Sequence, residues 1–236
     1  MAIVYPAGFC ANVTALLMGA PGFSRARSLG GSLAGFVIGY AVVVAVVALV
    51  RPHQMVAWNW PASPLLLMLA PVAGLACIAL EYAVGVVIVY VRTGRLVTRA
   101  AIHSSYADFR RVHAKDVAAV LALVAGEELV LRQFLYSVLV TDLGVVVWAA
   151  IGLCAMAYAA NHLSFGAASA LAKLPSGLLY TWLFWASGMS LAVVIIAHAT
   201  QNLTLLGLSR RPLWTPESGT RSGGRRTREV SDTRWP

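Results

Sequence analysis

The run LVAGEELVLRQFLYSVLV, residues 123–140, sets two adjacent glutamates and an arginine inside an otherwise apolar segment. The chain holds only nine acidic residues in 236, so two side by side where water is scarce need a reason. Helical spacing sorts them. Glu128 and Arg132 are i and i+4, share a face and can pair. Glu127 is turned about 100° away by the helix period. It is left needing a partner, a proton or a water-filled cavity, because an ionised carboxylate in hydrocarbon is costly.

The surroundings of this run call for a bilayer. Hydrophobic residues make up 59% of the chain and charged residues 11%, with a mean hydropathy of +0.76. Soluble domains are nearer half apolar and a quarter charged. A membrane helix takes about 20 apolar residues, and such runs fall at Leu29–Val50, Leu65–Val91, Val117–Val140, Leu143–Leu163, a shorter one at about Leu174–Ser187, and Met189–Leu208. Backbone groups in lipid must be satisfied within their own segment, which selects helices, and no alternating barrel pattern appears. The expected fold is therefore an all-α polytopic membrane protein, a bundle of about six transmembrane helices, or seven if residues 1–23 also cross. Residues 1–28 form an N-terminal segment that is either interfacial or a weak extra span. Residues 29–116 hold accessory helices and a basic loop, 117–208 the polar core helices, and 209–236 a basic disordered tail.

Net charge is +9. With six spans, Arg25, Arg27, the loop from Arg92 to Lys115, Lys173 and the tail fall on one side, and Arg51 alone on the other. The positive-inside rule then puts both termini in the cytoplasm, with the loop and tail against anionic lipid. Trp58, Trp60 and Trp214 sit where indoles favour the interface, and the SSYADFRRVHAKDVA part of the loop reads as an interfacial helix leading into the third span. No groove of alternating basic and aromatic residues appears, which excludes a nucleic-acid partner. Cys10, Cys77 and Cys154 have no CxxC spacing and read as small buried hydrophobes. No positive leader precedes the apolar start, which argues against a cleaved signal peptide.

Two further stretches place polar groups at membrane depth: YAANHLSF, with Tyr158, Asn161 and His162, and IIAHATQNLTLL, with His198, Gln201 and Asn202. His198 and Asn202 are again i and i+4. A carboxylate, two imidazoles and an amide, if these helices meet, can activate water and stabilise an oxyanion, the two needs of amide hydrolysis. The plainer reading is that such groups join helices by hydrogen bonds, and Tyr158 reads as a packing residue with a hydroxyl handle. Glu81, in CIALEYAVG, either bonds across helices or lines the same cavity. His53, His103 and His113 read as solvated loop residues.

The order EELVLR, YAANH, HATQN resembles the CPBP family of intramembrane endopeptidases, also called CAAX proteases and bacteriocin-processing (Abi) enzymes. Its pattern is EExxxR, then FxxxH, then HxxxN or HxxxD. Glu127, Glu128 and Arg132 match the first motif, His162 the second, His198 and Asn202 the third, while Tyr158 stands where Phe is usual. The resemblance covers about residues 117–208 and implies a four-helix catalytic core in a bacterial plasma membrane. It implies that Glu127 and His162 activate the attacking water, that His198 and Asn202 stabilise the oxyanion, and that Glu128 and Arg132 support the site and orient substrate. The implied substrate is a membrane-embedded or lipidated peptide or protein.

Zinc is the alternative cofactor. Glu127, His162 and His198 could make a three-ligand site with an open position, but no HExxH is present and ligation by Glu127 would remove the obvious base. No cofactor is therefore expected, and glutamic catalysis is favoured. Two other function classes compete: a non-catalytic membrane scaffold or immunity-type protein, and a proton-coupled transporter, against which stands the lack of paired inverted halves.

Overall fold

The computed structural model describes residues 29–52, 63–96, 112–163 and 166–208. The N-terminal segment, Trp58, Trp60, loop residues 97–111 and the tail with Trp214 lie outside the described residues. Six helices fill the rest, with no strand among the described residues. They are α1 (Leu29–Val50), α2 (Pro64–Thr93), α3 (Ala114–Glu128, extended by π-helical turns over Leu129–Tyr136 and Val138–Asp142), α4 (Val147–Ala160), α5 (Ala167–Ala186) and α6 (Leu191–Leu208). This is an all-α membrane protein.

Local chemistry fixes the helix ends. Pro64 opens α2, where its missing N–H costs nothing, and Gly94 closes it in the left-handed conformation at φ 66°. The third helix starts at Ala114 rather than Val117 because a capping box forms there. The His113 N–H donates to Asp116 Oδ2 at 2.7 Å, which satisfies a group that would otherwise be orphaned. The fourth run was expected over Leu143–Leu163 but is shorter. Gly144 turns at φ 65°, and the far end closes at Ala160 with Asn161 as its cap. The fifth was expected at about Leu174–Ser187 and instead begins at Ala167, running straight through Pro175. One lost backbone bond is tolerated where neighbouring helices surround the site.

The segments Leu33–Val50 of α1, Pro64–Thr93 and Leu191–Leu208 are long and apolar enough to cross a membrane, and α4 is a shorter apolar helix. Ile38, Val42, Val46 and Leu49 form an exposed stripe along α1, as do Leu65, Met68, Val72 and Leu75 along α2. Contiguous apolar surface of this extent suits lipid contact rather than water. The chain is an integral membrane protein.

Inside, α2 packs along α6, α4 along α5, and α3 between α1 and α6. Three glycines permit close crossings. A Cβ on Gly126 would lie 2.7 Å from Tyr40 Cβ, one on Gly177 would lie 2.9 Å from Ala155 Cα, and one on Gly74 would collide with the Ala197 carbonyl. Small residues let membrane helices approach to backbone contact. Gly74→Ala is expected to force α2 from α6 at a cost of about 1–3 kcal/mol, lowering the thermal midpoint in detergent by roughly 2–10 °C; an unchanged midpoint would show that the crossing relaxes freely.

Candidate active site

Glu127 and Glu128 occupy the last turn of the regular part of α3, just before it widens into π geometry, a distortion often found at functional sites. Both are buried, as is Arg132. Arg132 Nη1 donates to Glu128 Oε1 at 3.1 Å, the pair that the spacing predicts. The same oxygen lies 2.6 Å from His198 Nδ1, so Glu128 holds α6 as well as its own helix. Above the guanidinium sit two aromatic rings, with Arg132 Cζ 4.8 Å from the Tyr158 centroid and 5.7 Å from that of Tyr180. Cation–π attraction adds to the pairing where water is excluded.

Glu127 faces elsewhere. Its Oε1 accepts from the Tyr40 hydroxyl at 3.3 Å, and its Oε2 is 3.7 Å from His198 Nε2. The His198 ring therefore spans both carboxylates. Tyr40 is in turn held by Asn161, whose Nδ2 donates to its hydroxyl at 3.2 Å. Tyr180 stacks on His198 with centroids 5.0 Å apart and anchors its own hydroxyl on Gln201 Oε1 at 2.6 Å. Within this buried cluster Arg132 Nε and Nη2, Glu128 Oε2 and Asn161 Oδ1 make no hydrogen bond among the described residues. That leaves donor and acceptor capacity for water or for polar groups of a substrate.

His162 is placed differently from the sequence reading. It lies just past the end of α4, because the helix closes at Ala160 and the His162 N–H turns back to the Ala159 carbonyl at 2.9 Å. Its Nδ1 is 3.0 Å from the Tyr158 carbonyl. The Tyr158 ring stands between the two imidazoles, with centroids 5.0 Å from His162 and 5.8 Å from His198. Asn202 lies one turn along α6 from His198 and is half-buried. Glu127, Glu128, Arg132 and His198 thus meet directly, and His162 joins them through Tyr158.

Among the described residues no three His, Cys, Asp or Glu side chains are grouped so as to hold a metal ion. Glu127, His162 and His198 do not form such a group, with one nitrogen of His198 on Glu128 and one of His162 on a backbone carbonyl.

Glu81, left open by the sequence, bonds across helices: Lys173 Nζ lies 2.9 and 2.8 Å from its two oxygens, and Ser176 Oγ donates at 2.6 Å. Lys173 had been counted with the basic residues facing the cytoplasm, yet it stands half-buried within α5. Its burial follows from the charge partner on α2. Tyr40 and Tyr180 were missed altogether. The one signal for Tyr40 is that it is the only polar side chain beyond the first turn of α1.

A family model described as type II CAAX prenyl endopeptidase, Rce1-like, matches residues 115–204. No curated protein and no solved structure matches the chain. The matched segment carries all three motifs, and the helices that present them converge on one buried cluster. Over residues 115–204 the chain is similar to the Rce1-like type II CAAX prenyl endopeptidases.

Proposed function

We propose that the protein is an intramembrane endopeptidase that hydrolyses a peptide bond of a prenylated, membrane-associated protein or peptide, with Glu127 as the base that activates water. The observation that carries this reading is the asymmetry of the glutamate pair. Glu128 is saturated on one oxygen by Arg132 and His198. Among the described residues Glu127 meets a phenol and the more distant His198 Nε2. A proton taken by Glu128 would break its ion pair with Arg132, whereas Glu127, bonded to a neutral phenol, can take one without losing a counter-ion, as a base must.

In this scheme the water oxygen bonds to the carbonyl carbon as its proton passes to Glu127, and the carbonyl π pair moves onto oxygen. His162 assists the water. His198 and Asn202 flank the developing oxyanion, while Glu128 and Arg132 fix the His198 ring. The reaction needs no cofactor. The reading includes a bacterial plasma membrane, with the basic loop and tail on anionic lipid at the cytoplasmic face, and a division between accessory helices to 116 and a catalytic core over 117–208; it rests on the placement of basic residues and motifs.

The test is cleavage of a quenched fluorescent farnesylated peptide ending in a CAAX tetrapeptide by the full chain in lipid nanodiscs. Wild type, Glu127→Gln and His198→Ala are compared with and without chelator. Cleavage lost in both variants and indifferent to chelator is expected. Loss on chelation with rescue by zinc would overturn the metal-independent scheme, and a function untouched by either substitution would point to a scaffold. Tyr40→Phe removes the donor that orients the Glu127 carboxylate; a base held less well in place should lower kcat by roughly tenfold, and turnover equal to wild type would make Tyr40 a packing residue only.

A further inference from the structure

The His198 ring is held at one edge by the contact of Nδ1 with Glu128 Oε1 at 2.6 Å. A hydrogen bond keeps its strength over a broad range of angles, so that contact fixes where the edge lies but leaves the ring plane room to tilt. The reaction uses the other edge, where Nε2 stands 3.7 Å from Glu127 Oε2. A tilt of the plane displaces that edge most, because it is farthest from the bond.

The plane is set by Tyr180. Its ring lies against His198 with centroids 5.0 Å apart and planes 30° from parallel. It is tethered in turn at its far end, where the hydroxyl donates to Gln201 Oε1 at 2.6 Å. Gln201 follows His198 by three residues, so tether and imidazole rise from neighbouring turns of α6. All three side chains are buried. Tyr180 also stands on a fixed base: Lys173, Ser176 and Tyr180 fall at i, i+3 and i+7 of α5 and share a face, and the first two are bound to Glu81 of α2. The register of α5 is thereby pinned about one turn before the ring.

We propose that Tyr180 and Gln201 are positioning residues of this site: the phenol ring holds the His198 plane so that Nε2 is aimed beside Glu127, and Gln201 holds the phenol. Both act through His198, and a face contact sets the ring plane whatever hydrogens the imidazole carries. The inference rests on the protease reading, in which His198 flanks the oxyanion.

The test compares wild type with Tyr180→Phe, which keeps the ring and loses the hydroxyl, with Gln201→Met, which keeps the length and loses the acceptor, and with the two combined, all as full chains in nanodiscs. Each single change leaves a buried polar group unpaired and should lower the unfolding midpoint, while the double change removes both groups and should restore much of it. Catalysis should not follow that pattern. For the farnesylated CAAX peptide, kcat should fall roughly tenfold in each single variant and stay as low in the double, with KM within about threefold, because the tether is absent from all of them. In ¹³C-histidine spectra of the ligand-free protein, with His198 assigned by the signal lost in His198→Ala, the His198 Cε1–H resonance should be displaced in every one of these variants. A kcat that recovers with the midpoint in the double variant, or a His198 resonance that stays in place, overturns the proposal. If wild type fails to cleave, or Glu127→Gln cleaves as well as wild type, the protease reading falls and the positioning role falls with it; the resonance then decides only whether the tether sets the ring.

Discussion

Glu127→Gln should lower kcat by between about 10²- and 10⁴-fold, the range for loss of a positioned general base. Gln keeps the shape of Glu and an oxygen to accept from Tyr40, now 3.3 Å from Glu127 Oε1. It cannot take a proton. KM should therefore change little, because ground-state contacts survive while the step that needs a base does not. The comparison is made in nanodiscs with the farnesylated peptide, using active-site-independent protein quantification. Residual turnover within about tenfold of wild type would remove Glu127 from the role of base, and attention would pass to His162.

The second large effect is on stability. Arg132→Met leaves Glu128 buried beside His198 without its cation, and breaking a buried pair from one side costs about 3–5 kcal/mol. The rings of Tyr158 and Tyr180 also lose the guanidinium they cover. A marked fall in the unfolding midpoint in detergent is expected. Adding Glu128→Gln to Arg132→Met should recover a substantial part of the loss, since the uncompensated charge is then gone. If the single variant unfolds with the wild type, or the double variant is worse than the single, the pair is not what stabilises α3.

What could be read beforehand was what is local. Leu29–Val50 was bounded correctly because its ends coincide with the ends of the apolar run. Glu128 and Arg132 share one helix, so their 3.1 Å contact follows from i, i+4 spacing alone. The fifth helix starts at Ala167 rather than at about Leu174; its added turns carry Lys173, whose partner Glu81 stands on another helix and cannot be read from the run itself. The expected run Leu143–Leu163 carried His162 inside the helix, because hydropathy does not register that the helix closes at Ala160. Tyr40 was unreadable for a different reason: its contact with Glu127 spans 87 residues and follows no periodic pattern. Tyr158 was read as packing with a hydroxyl handle. The ring does pack, and only the geometry reveals that the handle meets His198.

The closure of the Glu128–Arg132 pair within one helix has a consequence for biogenesis. A charge entering the membrane centre alone costs about 2.5–3.5 kcal/mol at insertion. Because α3 carries its own counter-ion four residues on, it can leave the translocation machinery with that pair already neutralised, before α6 has been synthesised. His198 then arrives at a carboxylate that is already in place. Among the described residues the last helix to be made finishes the site, and a nascent chain that ends before it holds the Glu128–Arg132 pair but lacks the His198 imidazole.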